Sequence, residues 1–202
     1  NDYLPEEIGK KFKHEDMLAS TSVLDKNKTF KEALEASKIP VRDIFYRPRE
    51  DDNGQPYFEV PYLALETFAA ELKGQDGRII VFLGNPNNPD GTLLDKDHIR
   101  TVVSMLKDAN SLLVIDESFI DFVGNDPLQD NEHSMRSLVN EFDNIIVVHS
   151  FTKFYAVPGL RIGAAFTNKT LITQLQQYIP SWSVNTLAQA YTKAALNDVD
   201  YI

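Results

Sequence analysis

Short apolar runs alternate along this chain with segments that have the periodicity of amphipathic helices. Residues 79–83, 112–115 and 145–148 are continuously apolar, as is typical of strands that are covered on both faces. Apolar residues recur at helical spacing in the segments between and after these runs, which predicts helices over residues 62–73, 95–106, 169–178 and 186–196. This alternation predicts an α/β fold with a mostly parallel central sheet flanked by helices, in three αβα layers.

The remaining segments have weaker patterns. A helix is predicted over residues 29–37, strands over residues 41–46 and 161–166, and a polar turn over residues 47–55, which contain the turn signal Asn53-Gly54. Residues 1–24 are polar with mixed charge and predict a tether or a short helix, whereas residues 25–202 predict one partial domain. The chain opens on Asn1 rather than methionine, and we expect it to be a piece of a larger protein.

Composition excludes several classes of function. The formal net charge of −10 argues against non-specific nucleic-acid binding, which needs lysine and arginine to neutralise phosphates. The chain has no cysteine, so thiol catalysis, disulfides and thiolate metal sites are excluded, and the scattered histidines predict packing or surface roles and no metal site. No apolar run approaches the roughly 20 residues of a membrane span and no signal peptide is recognisable, so we expect no membrane partner and a cytoplasmic location.

The first chemical motif is the loop Gly84-Asn85-Pro86-Asn87-Asn88-Pro89-Asp90-Gly91, directly after a predicted strand. Two Asn-Pro steps favour a rigid, non-helical backbone. One interpretation is a sharp turn only, because asparagine, proline, aspartate and glycine are all turn formers. The other is that the loop presents the amide of Asn88 to a ligand.

The second motif is Asp116-Glu117 at the end of the run 112–115. The acid Asp116 could help to hold magnesium beside a nucleotide, but the glycine-rich phosphate loop that this function needs is missing from the chain. It could cap a helix, or its carboxylate could pair with a protonated pyridine nitrogen and keep that ring cationic.

The third motif places Lys153 shortly after the run 145–148, with Ser150 and Thr152 before it and Arg161 after a Pro-Gly turn. A lone lysine in a loop is usually solvated. A desolvated lysine amine, however, can attack an aldehyde, and hydroxyl groups with a guanidinium can hold a phosphate. Because ligands gather at the carboxyl ends of parallel strands, we expect Asn88, Asp116 and Lys153 to lie at one edge of the sheet.

Together the three motifs resemble the large domain of the fold-type I pyridoxal-phosphate (PLP) enzymes, the class I/II aminotransferases, and most of all the branch of histidinol-phosphate aminotransferase and threonine-phosphate decarboxylase. The resemblance runs from about Ser22 to the end of the chain and is strongest from Asn85 to Ala190. Residues 85–91 resemble the family loop Asn-Pro-Asn-Asn-Pro-Thr-Gly, with Asp90 in place of threonine.

The resemblance implies PLP as cofactor and a role for each matching residue. Lys153 would form the Schiff base with PLP, Asp116 would pair with the pyridine nitrogen, and Asn88 would contact the phenolic oxygen. The phosphate would be held by Ser150 and Arg161, with Thr152 beside them. Asn185, in the segment Trp182-Ser183-Val184-Asn185, is implied as a substrate contact, whereas we expect Trp182 to pack.

Three departures from the family pattern narrow what the resemblance implies. Many aminotransferases have a tyrosine three residues after the acid, where this chain has Phe119, which the decarboxylase branch tolerates. The family's glycine-rich phosphate loop and its ring-stacking aromatic residue would precede this chain. The small domain, with its substrate-carboxylate arginine, would follow it, so activity of the isolated chain is doubtful.

The implied function is a PLP-dependent aminotransferase that uses an amino acid or phosphorylated amine as amino donor and a 2-oxo acid as acceptor, and that forms a homodimer as the whole protein. The first alternative is a PLP-dependent amino-acid decarboxylase resembling threonine-phosphate decarboxylase, and the Phe119 and Trp182 segments point that way. The second is a non-catalytic domain of the same fold. The presence of the lysine argues against it, because a domain that only binds would not require one.

Overall fold

The computed structural model describes residues 43–74, 78–124, 131–198 and 200–201, together with Glu32. The strands are β1 (Arg47–Glu50), β2 (Pro56–Glu59), β3 (Ile80–Gly84), β4 (Leu112–Asp116), β5 (Ile145–Ser150) and β6 (Gly163–Phe166). The α-helices are α1 (Tyr62–Leu72), α2 (Lys96–Asp108), α3 (Phe151–Phe154), α4 (Lys169–Gln176) and α5 (Thr186–Ala195). Among the described residues, three 3₁₀ helices, Ile120–Phe122, Met135–Asn140 and Pro158–Leu160, lie in the connections. The predicted helix over 29–37 and the predicted segment 1–24 lie outside the described residues, apart from Glu32.

The central sheet has the order β3-β4-β5-β6. The pairs β3-β4 and β4-β5 are parallel, whereas β6 runs antiparallel to β5. Helices cover both faces of this sheet. The predicted α/β fold with a mostly parallel sheet flanked by helices is therefore confirmed.

The two faces of the sheet pack against different helices, as the alternation of side chains along a strand requires. On one face Leu113, Ile115, Ile145 and Val147 join the buried residues of α1 and α2 in the main core. On the other face Leu112, Val114 and Ile146 pack against the half-buried side chains of α4. Burial of the apolar side chains on both faces stabilises the fold by about 25 cal/mol per Å² of apolar surface removed from water.

Helix α2 begins where the sequence predicts. The Asp95 side chain accepts hydrogen bonds from the backbone N–H groups of Asp97 and His98, at 3.0 and 2.9 Å. Such an N-cap satisfies donors that the first helical turn would otherwise leave unpaired. The cap fixes where α2 starts and thus how the loop before it meets the sheet.

Two strand predictions need correction. Residues 43–46 are irregular rather than a strand, and the polar segment predicted only as a turn forms the hairpin β1-β2. Asp51 sets this register because its side chain accepts from the N–H groups of Asn53 and Gln55, which closes the turn.

Strand β3 is not covered on both faces by the described residues. It is the edge strand of the described sheet, and Phe82 is 44% exposed.

In the described part of the chain, no helix combines the length and the apolarity that crossing a bilayer requires.

Candidate functional site

The carboxyl ends of the central strands meet at one edge of the sheet. Gly84 pairs with Asp116, Asp116 with Val148, and Ser150 with Gly163. Adjacent strands lie about 4.8 Å apart, so residues that follow these positions are neighbours. Since β6 is antiparallel, it starts where β5 ends. The edge therefore collects the loop that carries Asn88, then Asp116, the segment 150–153 and Arg161, as predicted for the ends of β3, β4 and β5.

The Asn88 loop is closed by its own hydrogen bonds. The N–H of Asn87 donates to the carbonyl of Thr92, and the N–H of Gly91 donates back to the carbonyl of Asn87, both at 2.8 Å. The carboxylate of Asp90 accepts from the Thr92 N–H and from the Asn87 side chain, both at 2.9 Å. Asn88 is exposed on this closed loop, and within the described residues its side-chain amide has no hydrogen-bond partner.

The hydrogen bonds within the loop also affect the Asp90 carboxyl. Partial burial raises its pKa, but the bonds from Thr92 and Asn87 lower it by more, so the pKa of Asp90 lies below its ordinary value. An ionised Asp90 thus belongs to the closed form of the loop. The family's threonine at this position has no charge, and the aspartate replaces it with an acceptor for two donors.

Asp116 ends β4 with an exposed side chain. Its Oδ1 accepts from the Ser118 backbone N–H at 2.9 Å and from the Ser118 hydroxyl. These bonds close a turn and cap no α-helix, because the residues that follow form the 3₁₀ helix Ile120–Phe122 with Phe119 as its N-cap residue. Within the described residues Oδ2 accepts no hydrogen bond, so this carboxylate oxygen can accept one from a ligand.

Lys153 lies in the single turn of helix α3 and is exposed. Its Nζ lies 5.6 Å from the centroid of the Phe119 ring, and the amine forms no ion pair with any described residue. The two hydroxyl groups before it are paired, with Ser150 Oγ and Thr152 Oγ1 2.8 Å apart. Thr152 is buried and Ser150 half-buried, so Ser150 is the more accessible hydroxyl of the pair.

Arg161 has a left-handed backbone with φ 52°. This conformation costs a non-glycine residue roughly 1 kcal/mol or more and turns the chain from the 3₁₀ helix Pro158–Leu160 into β6. Its Nη1 donates to the carbonyl of Pro158 at 2.8 Å, and no described carboxylate pairs with the guanidinium. The positive charge at this edge is therefore available to an anion.

Asn185 is the N-cap residue of α5. Its Oδ1 accepts from the Ala188 N–H at 2.8 Å, and its Nδ2 donates to the carbonyl of Leu160 at 3.4 Å, so both ends of its amide are engaged. Its substrate role stays a prediction. Trp182, which we expected to pack, is 97% exposed, because a turn with φ 64° at this residue carries the ring away from the described chain.

Two buried polar residues that the sequence motifs did not single out hold this edge together. Asn85 and Glu117 are fully buried, and Asn85 Nδ2 donates to Glu117 Oε1 at 3.1 Å. Each directly follows the last residue of a strand, β3 and β4 respectively. That position next to Gly84 and Asp116 is the only signal that the sequence offers, and it does not distinguish a buried carboxylate from a solvated one.

His149 pairs with Asp121 on the face opposite to Ser150. Its Nε2 lies 3.0 Å from Asp121 Oδ2, while its Nδ1 is buried without a hydrogen-bond partner among the described residues. The pair links β5 to the 3₁₀ helix that Phe119 precedes. A cavity of about 540 Å³ lies beside this pair, lined also by Arg136, and includes none of the predicted site residues. His149 is buried, and its ring contacts Phe151 and Phe166.

Residues 28–202 match the family described as aminotransferase class I and II. Histidinol-phosphate aminotransferase 2 of Psychrobacter arcticus is 38% identical over 125 residues, which are 60% of this chain and 33% of that protein. A candidate threonine-phosphate decarboxylase of Caldanaerobacter subterraneus subsp. tengcongensis is 30% identical over 174 residues, 86% of this chain and 44% of that protein. The crystal structure of the histidinol-phosphate aminotransferase from Clostridium acetobutylicum superposes with a TM-score of 0.65 at 24% identity, over 85% of this chain and 46% of that chain.

The chain spans less than half the length of each of these three proteins. The structural superposition, at this level of identity, shows the shared fold. The family match covers most of the chain and includes all three motifs at the sheet edge. The predicted resemblance is therefore confirmed, and this chain belongs to the aminotransferase class I and II family.

Proposed function

We propose that the whole protein, of which this chain spans a part, is a pyridoxal-phosphate-dependent aminotransferase. One observation carries the proposal: the amide of Asn88, one oxygen of Asp116 and the amine of Lys153 all lie at one sheet edge with unused hydrogen-bonding capacity among the described residues. All three side chains are exposed, so a bound ligand can reach each of them. The family match and the named relatives support the same function.

The residues at the edge fit PLP group by group. The free oxygen of Asp116 can accept a hydrogen bond from a protonated pyridine nitrogen. Arg161, without a carboxylate partner, and the accessible hydroxyl of Ser150 can bind phosphate oxygens, with Thr152 supporting Ser150 through the bond at 2.8 Å. The amide of Asn88 can donate to a phenolic oxygen, and Lys153 supplies the amine that PLP enzymes require.

When bound, PLP supplies a ring that withdraws electrons from the carbon bearing the amino group of the substrate. Asp116 maintains that capacity by holding a proton on the ring nitrogen. Lys153, once its amine is free, acts as general base and removes the proton from that substrate carbon. It then acts as general acid and returns a proton to the cofactor carbon. Arg161 and Ser150 keep the cofactor in place during both transfers.

A second candidate is decarboxylation of a phosphorylated amino acid. Phe119 favours it, because the hydroxyl that many aminotransferases place at this position is missing, and the similarity to a candidate threonine-phosphate decarboxylase points the same way. The two reactions differ in which substrate bond lies perpendicular to the ring. The choice depends on groups that orient the substrate carboxylate and not on the residues at the sheet edge.

The experiment reconstitutes the whole protein with PLP and measures the visible absorption of the cofactor joined to lysine. Sodium borohydride should then attach the cofactor covalently to Lys153, as peptide mass spectrometry reads out, and Lys153→Ala should abolish both signals. Labelling of another lysine, or no band at all, contradicts the proposal. Keto-acid formation from amino donors with 2-oxoglutarate, measured beside released carbon dioxide, separates transamination from decarboxylation. PLP binding without either reaction would indicate a non-catalytic domain.

The same proposal includes a homodimer in the cytoplasm, with a small amino donor and a 2-oxo acid as its substrates. It is supported by the resemblance to the class I/II aminotransferases, and the net charge of −10 is compatible with small-molecule rather than nucleic-acid partners. Sedimentation velocity of the whole protein, with and without PLP, tests the dimer. A monomer under both conditions would contradict this part of the proposal alone.

A further inference from the structure

The carboxylate of Glu117 is fully buried directly beside Asp116. Oε1 accepts from the Asn85 side chain at 3.1 Å and from the Met135 N–H at 2.6 Å, and Oε2 accepts from the Ser134 hydroxyl at 2.7 Å. Burial of a charge is costly unless it is hydrogen-bonded, and a well-packed apolar residue often stabilises a core equally well. Three donors therefore satisfy both oxygens of this buried carboxyl group, and Nε of Arg136 lies 3.8 Å from Oε2.

Asn85 links three segments through one buried side chain. Its Nδ2 donates to Glu117 and to the carbonyl of His133 at 2.8 Å, and its Oδ1 accepts from the Leu94 N–H at 3.1 Å. Its backbone N–H donates to the carbonyl of Asp116 at 2.8 Å. Residues 85 and 94 are the two ends of the loop that carries Asn88, so Asn85 closes that loop and fastens it to the end of β4.

We propose that Asn85 and Glu117 are positioning residues for the cofactor site, and that the bond between them holds the Asn88 loop at a fixed distance from Asp116. This inference rests on the proposed function, because Asn88 and Asp116 would contact two different atoms of one bound ring, its phenolic oxygen and its nitrogen. A loop free to move by 1 Å could satisfy only one of the two contacts at a time. The Glu117 carboxylate acts through Asn85 and touches no ligand itself.

Ser134 provides the matched control. It donates to the same carboxylate through the other oxygen, but it has no bond to the loop 85–94. Ser134→Ala therefore removes one hydrogen bond of Glu117 and the bonds that Ser134 accepts from Arg136, but no bond to the Asn88 loop. A merely structural role of the network predicts that Ser134→Ala and Asn85→Ala have the same effects, whereas a positioning role predicts that they differ.

The test measures two quantities in the whole protein: the dissociation constant of PLP, and amide hydrogen exchange at Gly91 in the absence of PLP. Asn85→Ala should raise the dissociation constant about tenfold or more and accelerate exchange at Gly91. Glu117→Gln keeps the shape and one acceptor oxygen, so it should shift both quantities in the same direction by a smaller factor. The Glu117→Gln variant still tests the proposal if Asn85→Ala does not fold. Ser134→Ala should stay within about twofold for both.

The outcomes separate the two proposals. If PLP binds to the unmodified protein but both Asn85→Ala and Glu117→Gln leave its affinity unchanged, the positioning role is wrong and the proposed function stands. Equal effects of Ser134→Ala and Asn85→Ala also overturn the positioning role. If the unmodified protein does not bind PLP, the proposed function fails, and the positioning role for a cofactor fails with it. Exchange at Gly91 then still reports whether Asn85 restrains the loop.

Discussion

The amine of Lys153 lies 5.6 Å from the centroid of the Phe119 ring. This separation is within the range of a cation–π interaction, which contributes about 0.5–1 kcal/mol at exposed sites. Phe119 itself packs on Phe122, and Phe122 on Phe154 of the lysine-bearing turn. Phe119, which lacks the hydroxyl of the common tyrosine, is thus also an aromatic neighbour of the lysine.

The Phe119–Lys153 contact predicts a measurable coupling. In a double-mutant cycle of Phe119→Leu and Lys153→Met, the free energy of unfolding should show a coupling of about 0.5 kcal/mol that decreases in high salt. The corresponding cycle of Phe122→Leu with Lys153→Met is the control and should show none, because Phe122 contacts the other rings. A coupling equal in both cycles would indicate indirect packing effects instead.

Gly163 allows β6 to approach β5 at the lysine edge. A Cβ atom at this position would lie 2.5 Å from the carbonyl oxygen of His149, closer than real atoms come. Gly163→Ala should therefore lower the free energy of unfolding by about 1–3 kcal/mol and weaken PLP binding, since Ser150 pairs with Gly163. Urea unfolding and a PLP titration measure the two effects.

The control for Gly163 is Gly159→Ala. An added Cβ there has open space, and the residue does not need the left-handed conformation. Its effect should stay within about 0.5 kcal/mol. If both alanine variants have similar stability, the close approach of the two strands is not what requires a glycine at position 163.

Asp90 predicts an acid-sensitive loop. Its pKa is lowered in the folded state, so the unfolded state binds more protons near that pKa, and the stabilisation is present above the unfolded value of about 3.9 and lost as pH falls. Asp90→Asn should cost on the order of 0.5 kcal/mol near pH 7, because Asp90 is only partly buried, and progressively less as pH falls below about 3.9 towards the folded-state pKa.

Thermal unfolding between about pH 3 and pH 7 checks this dependence on Asp90. Asp108→Asn is the control, because Asp108 is exposed and its one ion pair among the described residues, with Lys73, is 3.5 Å long. A difference between Asp90→Asn and the unmodified protein that does not change with pH would contradict the role of the ionised carboxylate in closing the loop.

Tyr46 has a buried hydroxyl with no hydrogen-bond partner among the described residues. Burial, with the negative charge of Asp90 nearby, raises the pKa of Tyr46 to about 12. An unpaired buried hydroxyl is unfavourable, so Tyr46→Phe should raise the free energy of unfolding by about 1 kcal/mol, whereas Tyr57→Phe, at an exposed ring, should leave it unchanged. A loss of stability in Tyr46→Phe would reveal a partner for the hydroxyl in the whole protein.

The buried strands of the central sheet could be predicted because short, continuous apolar runs are typical of strands inside an α/β domain. The hairpin β1-β2 could not, because its residues are all exposed and its pairing depends on the Asp51 turn rather than on apolar contacts. The exposure of Phe82 was equally unpredictable, since an apolar run does not reveal whether its strand lies at the edge of a sheet.

The residues that face the proposed ligand could be predicted from the ends of strands, because parallel strands bring their carboxyl ends together. The Asn85–Glu117 pair could not. A carboxylate after a strand is usually solvated, and only the fold brings Ser134 and Met135 close enough to bury it. The candidate site residues follow strand ends that the sequence reveals, whereas the partners of Glu117 come from a connection that the sequence does not place beside it.

The reversed direction of β6 has a consequence for engineering. Because the chain reverses direction between β5 and β6, the Lys153 amine and the Arg161 cation lie in one connection. The two ends of this connection, Ser150 and Gly163, are paired with each other. Had the last strand been parallel, a longer crossover connection would have separated the lysine from the cation. An exchange of residues 150–163 between relatives therefore keeps both paired ends, but it must also preserve the contacts of Phe154 with Phe122, of Tyr155 with Tyr201 and of the Leu160 carbonyl with Asn185.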